Sequence, residues 1–417
     1  MPRRQGYPPL IAPVAGTAAL AATVAFAGSL LFSGPGDRPG AVVAVPEPRS
    51  APRTPAAPAH TTGLWAATWT ASPVTGMADS TTGSTLHRRT IRNVVHTSIG
   101  GDAARITLSN LFGTRPLVVE QAGVGGRPAT FGGARSVTVP IGGQVVSDAV
   151  PGPVAPDADL VVTLRVRSPE GPVTVHEHSH QTSYLDTAWG ARRTDDWRYL
   201  TAVDVHTLTA VGTVAVIGDS LTAGTGSSTD TNSRWPDVLA DRLHGRYGVA
   251  NAGIAGNRLL LDGSGVRALD RFERDALDVA GVRTVVIALG INDVQRSPQE
   301  THPEHIVDAL RRLTERAHAR GLRVVGATLM PFEGYRTWTP AREAVRQRVN
   351  ELIRAGGVYD DVIDFDAAAR DPHHPARLRP EYDSGDHLHL DDAGYQRLGS
   401  LVDLASLEHE ETVSDQL

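Results

Sequence analysis

The chain contains no cysteine in 417 residues. Disulfide frameworks, zinc–thiolate sites, cysteine-ligated iron–sulfur clusters and thiol nucleophiles are therefore excluded. A lipid anchor on an N-terminal cysteine is excluded by the same count. The missing disulfides do not fix the compartment, because an exported protein can do without them. Aromatic residues make up only 5%, so no stacking platform for single strands or glycans stands out. Nor does one sign of charge dominate: 40 basic and 46 acidic side chains leave a formal net charge of −6. Nucleic-acid binding would require a concentrated basic face, and none is expected. What remains is ordinary globular composition, 41% hydrophobic and 21% charged. The length suffices for two domains and a tail.

The one long apolar run comes first. Arg3 and Arg4 precede an uncharged stretch from Leu10 to Phe32. Ala25-Phe26-Ala27 offers a small-residue cleavage site inside it. The run is also long enough to cross a bilayer as a helix, so residues 1–33 read equally as a cleaved signal peptide or an uncleaved membrane anchor. Either way the basic flank keeps the N-terminus inside. The rest of the chain is expected outside, secreted or held on the outer face of the cytoplasmic membrane. Residues 34–62 are rich in Pro, Ala, Gly and Thr and read as an extended linker.

From 63 to 208 short β-branched runs alternate with glycine-rich turns. Arg105–Leu108, Leu117–Val119, Ser136–Val139, Leu160–Val166 and Val173–Val175 are separated by pairs such as Gly125-Gly126 and Gly142-Gly143. This texture predicts a β-sandwich or jelly-roll-like domain. From 209 to 410 it changes to strands alternating with helices. Thr213–Ile217, Val285–Leu289, Arg323–Ala327 and Val362–Phe365 are continuous apolar strands of the kind buried on both faces of a parallel sheet. Ile306, Leu310, Leu313 and Ala317 recur at helical spacing, with Thr301 and Glu304 as an expected capping box. Thr339-Pro340 starts another helix, and Asp391-Asp392 caps the last. The alternation predicts an α/β doubly wound parallel sheet with its chemistry at the carboxyl ends of the strands.

Four loops in this second part carry unusual polar residues. Gly218-Asp219-Ser220-Leu221 follows the first strand directly, where Ser220 is either a reactive hydroxyl or a helix cap. It is neither a phosphate loop, lacking a lysine, nor a Gly-x-Ser-x-Gly elbow, since Thr222 stands where the second glycine would be. Asn251–Asn257 brings closely spaced glycines. Gly290-Ile291-Asn292-Asp293 follows the next strand and offers an amide able to donate to a developing oxyanion. Asp386-His387-Leu388-His389 places a carboxylate three residues before an imidazole, where it can fix the ring's tautomer. Singly, each loop could equally be a turn.

Together, in this order, the four blocks resemble the SGNH (GDSL) hydrolases. The resemblance implies a flavodoxin-like fold with Ser220 as nucleophile, His389 as general base and Asp386 orienting it. It also implies an oxyanion hole from the backbone N–H groups of Ser220 and Gly256 and the Asn292 side chain, with Asp219 and Asp293 in support. No cofactor and no metal are implied. Trp65–Trp69, Ser98–Gly101, Leu108–Asn110 and Met330-Pro331-Phe332 are similar to a bacterial subfamily typified by a rumen xylan-cluster esterase, of arylesterase or acylhydrolase type. The expected activity is ester hydrolysis through an acyl-enzyme, removing short acyl groups from carbohydrate or small esters. A lipase or arylesterase acting on hydrophobic esters is the alternative, as is a non-catalytic wall- or glycan-binding protein. The expected partner is a small-molecule or carbohydrate ester, with no nucleic acid and no membrane contact beyond the N-terminal anchor. Phe332–Trp338, the one candidate flap, is short and mixed in polarity, which favours small acyl groups.

Other histidines compete for roles. His387 is expected to line the pocket or the surface, and His373 and His374 to lie in a loop. His176, His178 and His180 alternate as a strand would, so all three could face one side and bind a metal. No carboxylate on another segment is evident to complete such a site, and a polar strand facing the catalytic domain is the reading adopted.

Overall fold

A computed structural model describes residues 63–77, 88–167, 171–187 and 190–408. The expected signal or anchor segment and the linker lie outside these residues. Among the described residues no helix is long and apolar enough to cross a membrane.

The first part is antiparallel throughout. A five-stranded sheet centres on Leu64–Thr70, Leu200–Thr207 and Gly101–Ser109. A seven-stranded sheet centres on Arg88–Thr97, Ala158–Arg167 and Leu117–Val124. Alternating side chains of both, among them Val95, Ile106, Leu108, Val162, Leu164, Val203 and Val205, fill one core between them. Trp69 meets Trp197 edge-on at 4.8 Å in the same core. A third, short sheet joins Val74–Met77, Pro172–His176 and Trp197–Arg198. This is the β-sandwich expected upstream of the catalytic part.

The second part is a five-stranded parallel sheet in the order Tyr247–Gly253, Gly212–Gly218, Val282–Ala288, Arg323–Ala327, Asp361–Ile363. Numbered along the chain this is 2-1-3-4-5, the flavodoxin-like order, which places its switch point beside the first strand. Every residue of Gly212–Gly218 is buried, as a central strand covered on both faces requires. Helices Pro303–His318 and Pro340–Arg354 cover one face, with Ile306, Leu310, Leu313 and Val349 fully buried. Helices Trp235–Leu243 and Asp392–Leu401 cover the other, through Trp235, Leu239 and Leu398.

Three expectations need correction. The strand Tyr247–Gly253 was not among those read from the sequence, because its glycines depress strand propensity. Gly248 is required there, since a Cβ would stand 2.0 Å from the Ala67 carbonyl oxygen of the neighbouring strand Leu64–Thr70. Thr301 and Glu304 form no capping box: His302 is the N-cap, without a side-chain bond, and Glu300 accepts from the Thr301 and His302 N–H groups instead. The strand Pro172–His176 ends at His176, and His178 and His180 take positive φ values of 56° and 53°. The three histidines therefore do not alternate along a strand. Thr339 and Asp391 do cap their helices, accepting from Arg342 N and Gly394 N.

Arg271 joins the two parts below the site. Its side chain is fully buried and donates to the Gly218 and Ala252 carbonyls, the Asn257 amide oxygen, the Ser72 hydroxyl and the Asp275 carboxylate. Replacing it takes one partner each from the Gly218 and Ala252 carbonyls, the Asn257 amide and Asp275, which keeps its pair with Arg274, a loss on the order of 3 kcal/mol. Arg271→Met should accordingly lower the unfolding midpoint far more than Arg320→Ala, which breaks only an exposed pair with Asp278. Equal midpoints in thermal melts of the two variants would contradict this account.

Candidate active site

Ser220 stands at the carboxyl end of the first parallel strand and opens the short helix Ser220–Ala223. Gly218 must be glycine, because a Cβ would meet the Thr222 hydroxyl at 2.0 Å. Asp219 caps the helix by accepting from Leu221 N at 3.0 Å, so the capping role falls to the neighbour of Ser220. The Ser220 hydroxyl is left to bond elsewhere. Its Oγ lies 2.8 Å from His389 Nε2, and His389 Nδ1 lies 2.6 Å from an Asp386 carboxylate oxygen.

Asp386 holds this geometry with its second oxygen, which accepts the Leu388 and His389 backbone N–H groups. Partial burial works to raise its pKa, but the His389 ring and these N–H groups outweigh that and hold the carboxyl well below its usual range. Asp386 thus stays ionised and fixes the tautomer with the proton on Nδ1. His387 has a different task. Its Nδ1 bonds Asp383 at 2.5 Å and its side chain is 52% exposed, against 11% for His389. His373 and His374 lie in an exposed loop whose N–H groups donate to Asp371.

The other predicted residues converge on the same place. Ser220, Gly256, Asn292 and His389 all line one cavity of about 730 Å³. Gly256 has φ +74°, a left-handed conformation that favours glycine. The Asn292 amide nitrogen lies 3.3 Å from an Asp219 carboxylate oxygen. Asp293 faces away from the cavity floor, accepting from Leu259 N and Leu260 N at 2.8 and 3.0 Å. It thereby ties the loop after Gly256 to the helix that carries Asn292. Burial pushes the Asp293 carboxyl up, and more so that of Asp219, to about 6.

Several residues of the site escaped the sequence reading. Gln295 donates to the Asn292 amide oxygen at 2.7 Å, and its own oxygen accepts from the Thr337 hydroxyl at 2.8 Å. This relay occupies the Asn292 oxygen and leaves its NH2 free to donate, as it does to Asp219. The signal was present as a polar residue three positions after Asn292 on a buried helix. Tyr335 stands edge-on to the His389 ring at 6.4 Å. Val74, Thr75, His176, Glu177, His178, His180 and Asp195 bring the antiparallel part into the cavity wall. His176 is buried and bonds the Ser72 carbonyl through Nδ1, and burial lowers its pKa to about 4, so it stays neutral. Among the described residues the only cluster able to offer three metal ligands is Glu300, His302 and His305, and it does not include these histidines.

A hydroxyl, an imidazole and a carboxylate in series at the edge of an open parallel sheet make up the working parts of a serine hydrolase. Residues 216–397 match the model of the GDSL-like lipase/acylhydrolase family, and this part of the chain is a domain of that family, a carboxylic-ester hydrolase. No curated protein matches the chain. Among solved structures it is similar to a lipolytic protein of the G-D-S-L family from Desulfitobacterium hafniense, at 22% identity and TM-score 0.37 over 47% of this chain and 98% of that one. A family two carbohydrate esterase from Clostridium thermocellum, solved with cellohexaose, aligns at 15% identity and TM-score 0.35 over 82% of this chain and 92% of that one. A carbohydrate acetylesterase from Sinorhizobium meliloti aligns at 17% identity and TM-score 0.36 over 45% and 94%.

Two measurements probe this geometry. Gln295→Leu frees the Asn292 amide to rotate, and kcat should fall about 10- to 100-fold with little change in KM. Gln295→Glu, which keeps the bulk but cannot donate when ionised, should be equally slow at neutral pH. Wild-type kcat in either variant would remove the relay. Asp219 gives a pH test. A carboxyl raised on folding contributes stability fully present below the ordinary carboxylate range and lost as pH rises through about 6. Charging it costs the wild type up to about 3 kcal/mol, a cost that Asp219→Asn does not bear. The melting temperature of the variant relative to wild type should rise between pH 4 and pH 8. A flat difference would contradict the burial argument.

Proposed function

We propose that the protein is an acyl-enzyme esterase outside the cytoplasmic membrane, with Ser220 as nucleophile, His389 as general base and Asp386 as its orienting carboxylate. The observation that carries this reading is the unbroken chain from Ser220 Oγ to His389 Nε2 at 2.8 Å and from His389 Nδ1 to Asp386 at 2.6 Å. Ser220 Oγ attacks the ester carbonyl while His389 takes its proton. The backbone N–H groups of Ser220 and Gly256 and the Asn292 amide receive the oxyanion. His389 then returns the proton to the leaving alcohol, and water, deprotonated by the same ring, frees the acid. The basic and apolar N-terminal sequence supports the extracellular placement.

Short acyl groups on carbohydrate or small alcohols fit the site best. The cavity is open and mixed in character, lined by Val74, Ile254 and Leu388 together with His178, His180 and Glu177. The segment Phe332–Trp338 supplies one ring beside His389 but no broad apolar flap. The antiparallel part thus serves as a wall for the alcohol or acyl group, not as a separate module.

Ser220→Ala should abolish hydrolysis of p-nitrophenyl acetate while leaving the melting temperature close to wild type; retained turnover would sink the mechanism. Asn292→Ala should lower kcat by about 10²–10³-fold, the usual cost of one oxyanion donor. A series from acetate to palmitate should favour the short end. Preference for long chains would replace this reading with a lipase.

A further inference from the structure

Arg296 is a cation in the cavity that ester hydrolysis leaves unused. It directly follows Gln295 and lines the same space as Ser220, Gly256 and Asn292. One guanidinium nitrogen donates to the Ser264 hydroxyl at 2.9 Å. The rest of the group lies against Gly256, so closely that a Cβ there would be 2.4 Å from Nη2 and 2.6 Å from Cζ. Among the described residues no carboxylate lies within ion-pair distance of it. The acidic groups of the cavity, Glu177 and Asp195, belong to the wall made by the antiparallel part, and Asp195 is beside His178 at 3.4 Å.

A guanidinium keeps its charge at any working pH and presents five donors in a planar fork. In most places on this protein that fork is matched: Arg346 by Glu343 and Asp366, Arg354 by Asp364 and Asp366, Arg316 by Glu273. The Arg296 guanidinium makes one bond among the described residues, to a neutral hydroxyl, and lines a cavity that a substrate must enter.

His389 must return its proton to the leaving oxygen, so the alcohol lies on the side of His389 and Tyr335. Gly256, Ser264 and Arg296 line the cavity together with the proposed oxyanion donors, which hold the acyl carbonyl, so the remainder of the acyl group is assigned to their neighbourhood. We infer that Arg296 and Ser264 form an anion subsite for a carboxylate carried on the acyl portion, so that the preferred substrates are half-esters of short dicarboxylic acids. This rests on the esterase reading above. The carboxylate would accept two parallel N–H bonds from the guanidinium, the strongest geometry open to it.

The test compares kcat/KM for mono-p-nitrophenyl glutarate with that for p-nitrophenyl butyrate, which has a similar chain without the charge. Because the ratio is taken within one preparation, it does not depend on how much of a variant is folded. The wild type should favour the glutarate at least tenfold, and raising the salt concentration should weaken that preference. Arg296→Leu should lower the ratio about 10- to 100-fold, and Arg296→Lys should fall between, keeping the charge but losing the fork. A wild-type ratio near one, or one unchanged in Arg296→Leu, would overturn the subsite while leaving the esterase intact. A charge preference that appears only when the carboxylate is on the alcohol, as in 4-butyryloxybenzoate, would overturn the acyl assignment. Failure to hydrolyse any of these esters would instead remove the esterase reading itself.

Discussion

The site depends first on a charge that never touches it. Arg271, with no exposure to solvent, gathers the carbonyl ends of two parallel strands, at Gly218 and Ala252, under the loops that follow them. One of those loops carries Ser220 and the other carries Gly256. Buried carbonyls short of donors are costly, and Gly218 accepts from Ile254 N as well as from Arg271. A single planar fork reaches both carbonyls and ties the two loops together. It also reaches Ser72 in the antiparallel part and Asn257 in the second loop. Asp275 supplies the countercharge, without which a guanidinium in this position could not be buried.

Above this base the carboxylates are divided by environment. Asp219, 1% exposed, is pushed up to about 6 by burial, although Leu221 N and the surrounding cations pull the other way. Asp386, half exposed and bonded by three N–H groups, is held far lower. The two therefore suit different tasks. Asp386 remains a fixed negative charge against which His389 can become cationic. Asp219 spends its oxygens on Leu221 N and on the Asn292 amide, which sets the turn that presents Ser220. A second pair of polar residues, Gln295 and Thr337, holds Asn292 from behind.

The sequence made the parallel half legible because its signals are local. Thr213–Ile217 and Arg323–Ala327 are runs too apolar to be anything but buried strands, and Thr339-Pro340 marks a helix start without help from the rest of the chain. The four polar loops could be placed together only through their family resemblance, since 169 residues separate Ser220 from His389. What escaped was non-local. Tyr247–Gly253 is a strand because a neighbouring strand from the antiparallel part leaves room only for glycine at 248. His176, His178 and His180 looked periodic, but the Ser179 hydroxyl and the Asp230 carboxylate fold that stretch into a loop, through bonds to Gln181 and Thr182. Arg271, Gln295 and Arg296 are ordinary polar residues on or beside helices until their partners are known.

The antiparallel part is more than an attached module for the same reason. Its strand Leu64–Thr70 is bonded into the catalytic half by Ala67 N to the Thr213 hydroxyl and by the Thr70 hydroxyl to the Asn251 carbonyl. Ala67 itself is packed in the core of the parallel sheet. From this position the part contributes Val74, His176 and the loop beyond it to the lining of the cavity. A sheet of the flavodoxin type leaves its switch point open to solvent, and a nucleophile there would face water on one side. That side is lined by Val74, Thr75 and His176 from the short third sheet and by the loop that carries Glu177, His178 and His180. Specificity then follows from the lining itself, in which neutral His176 and its neighbours meet the same cavity as the guanidinium of Arg296.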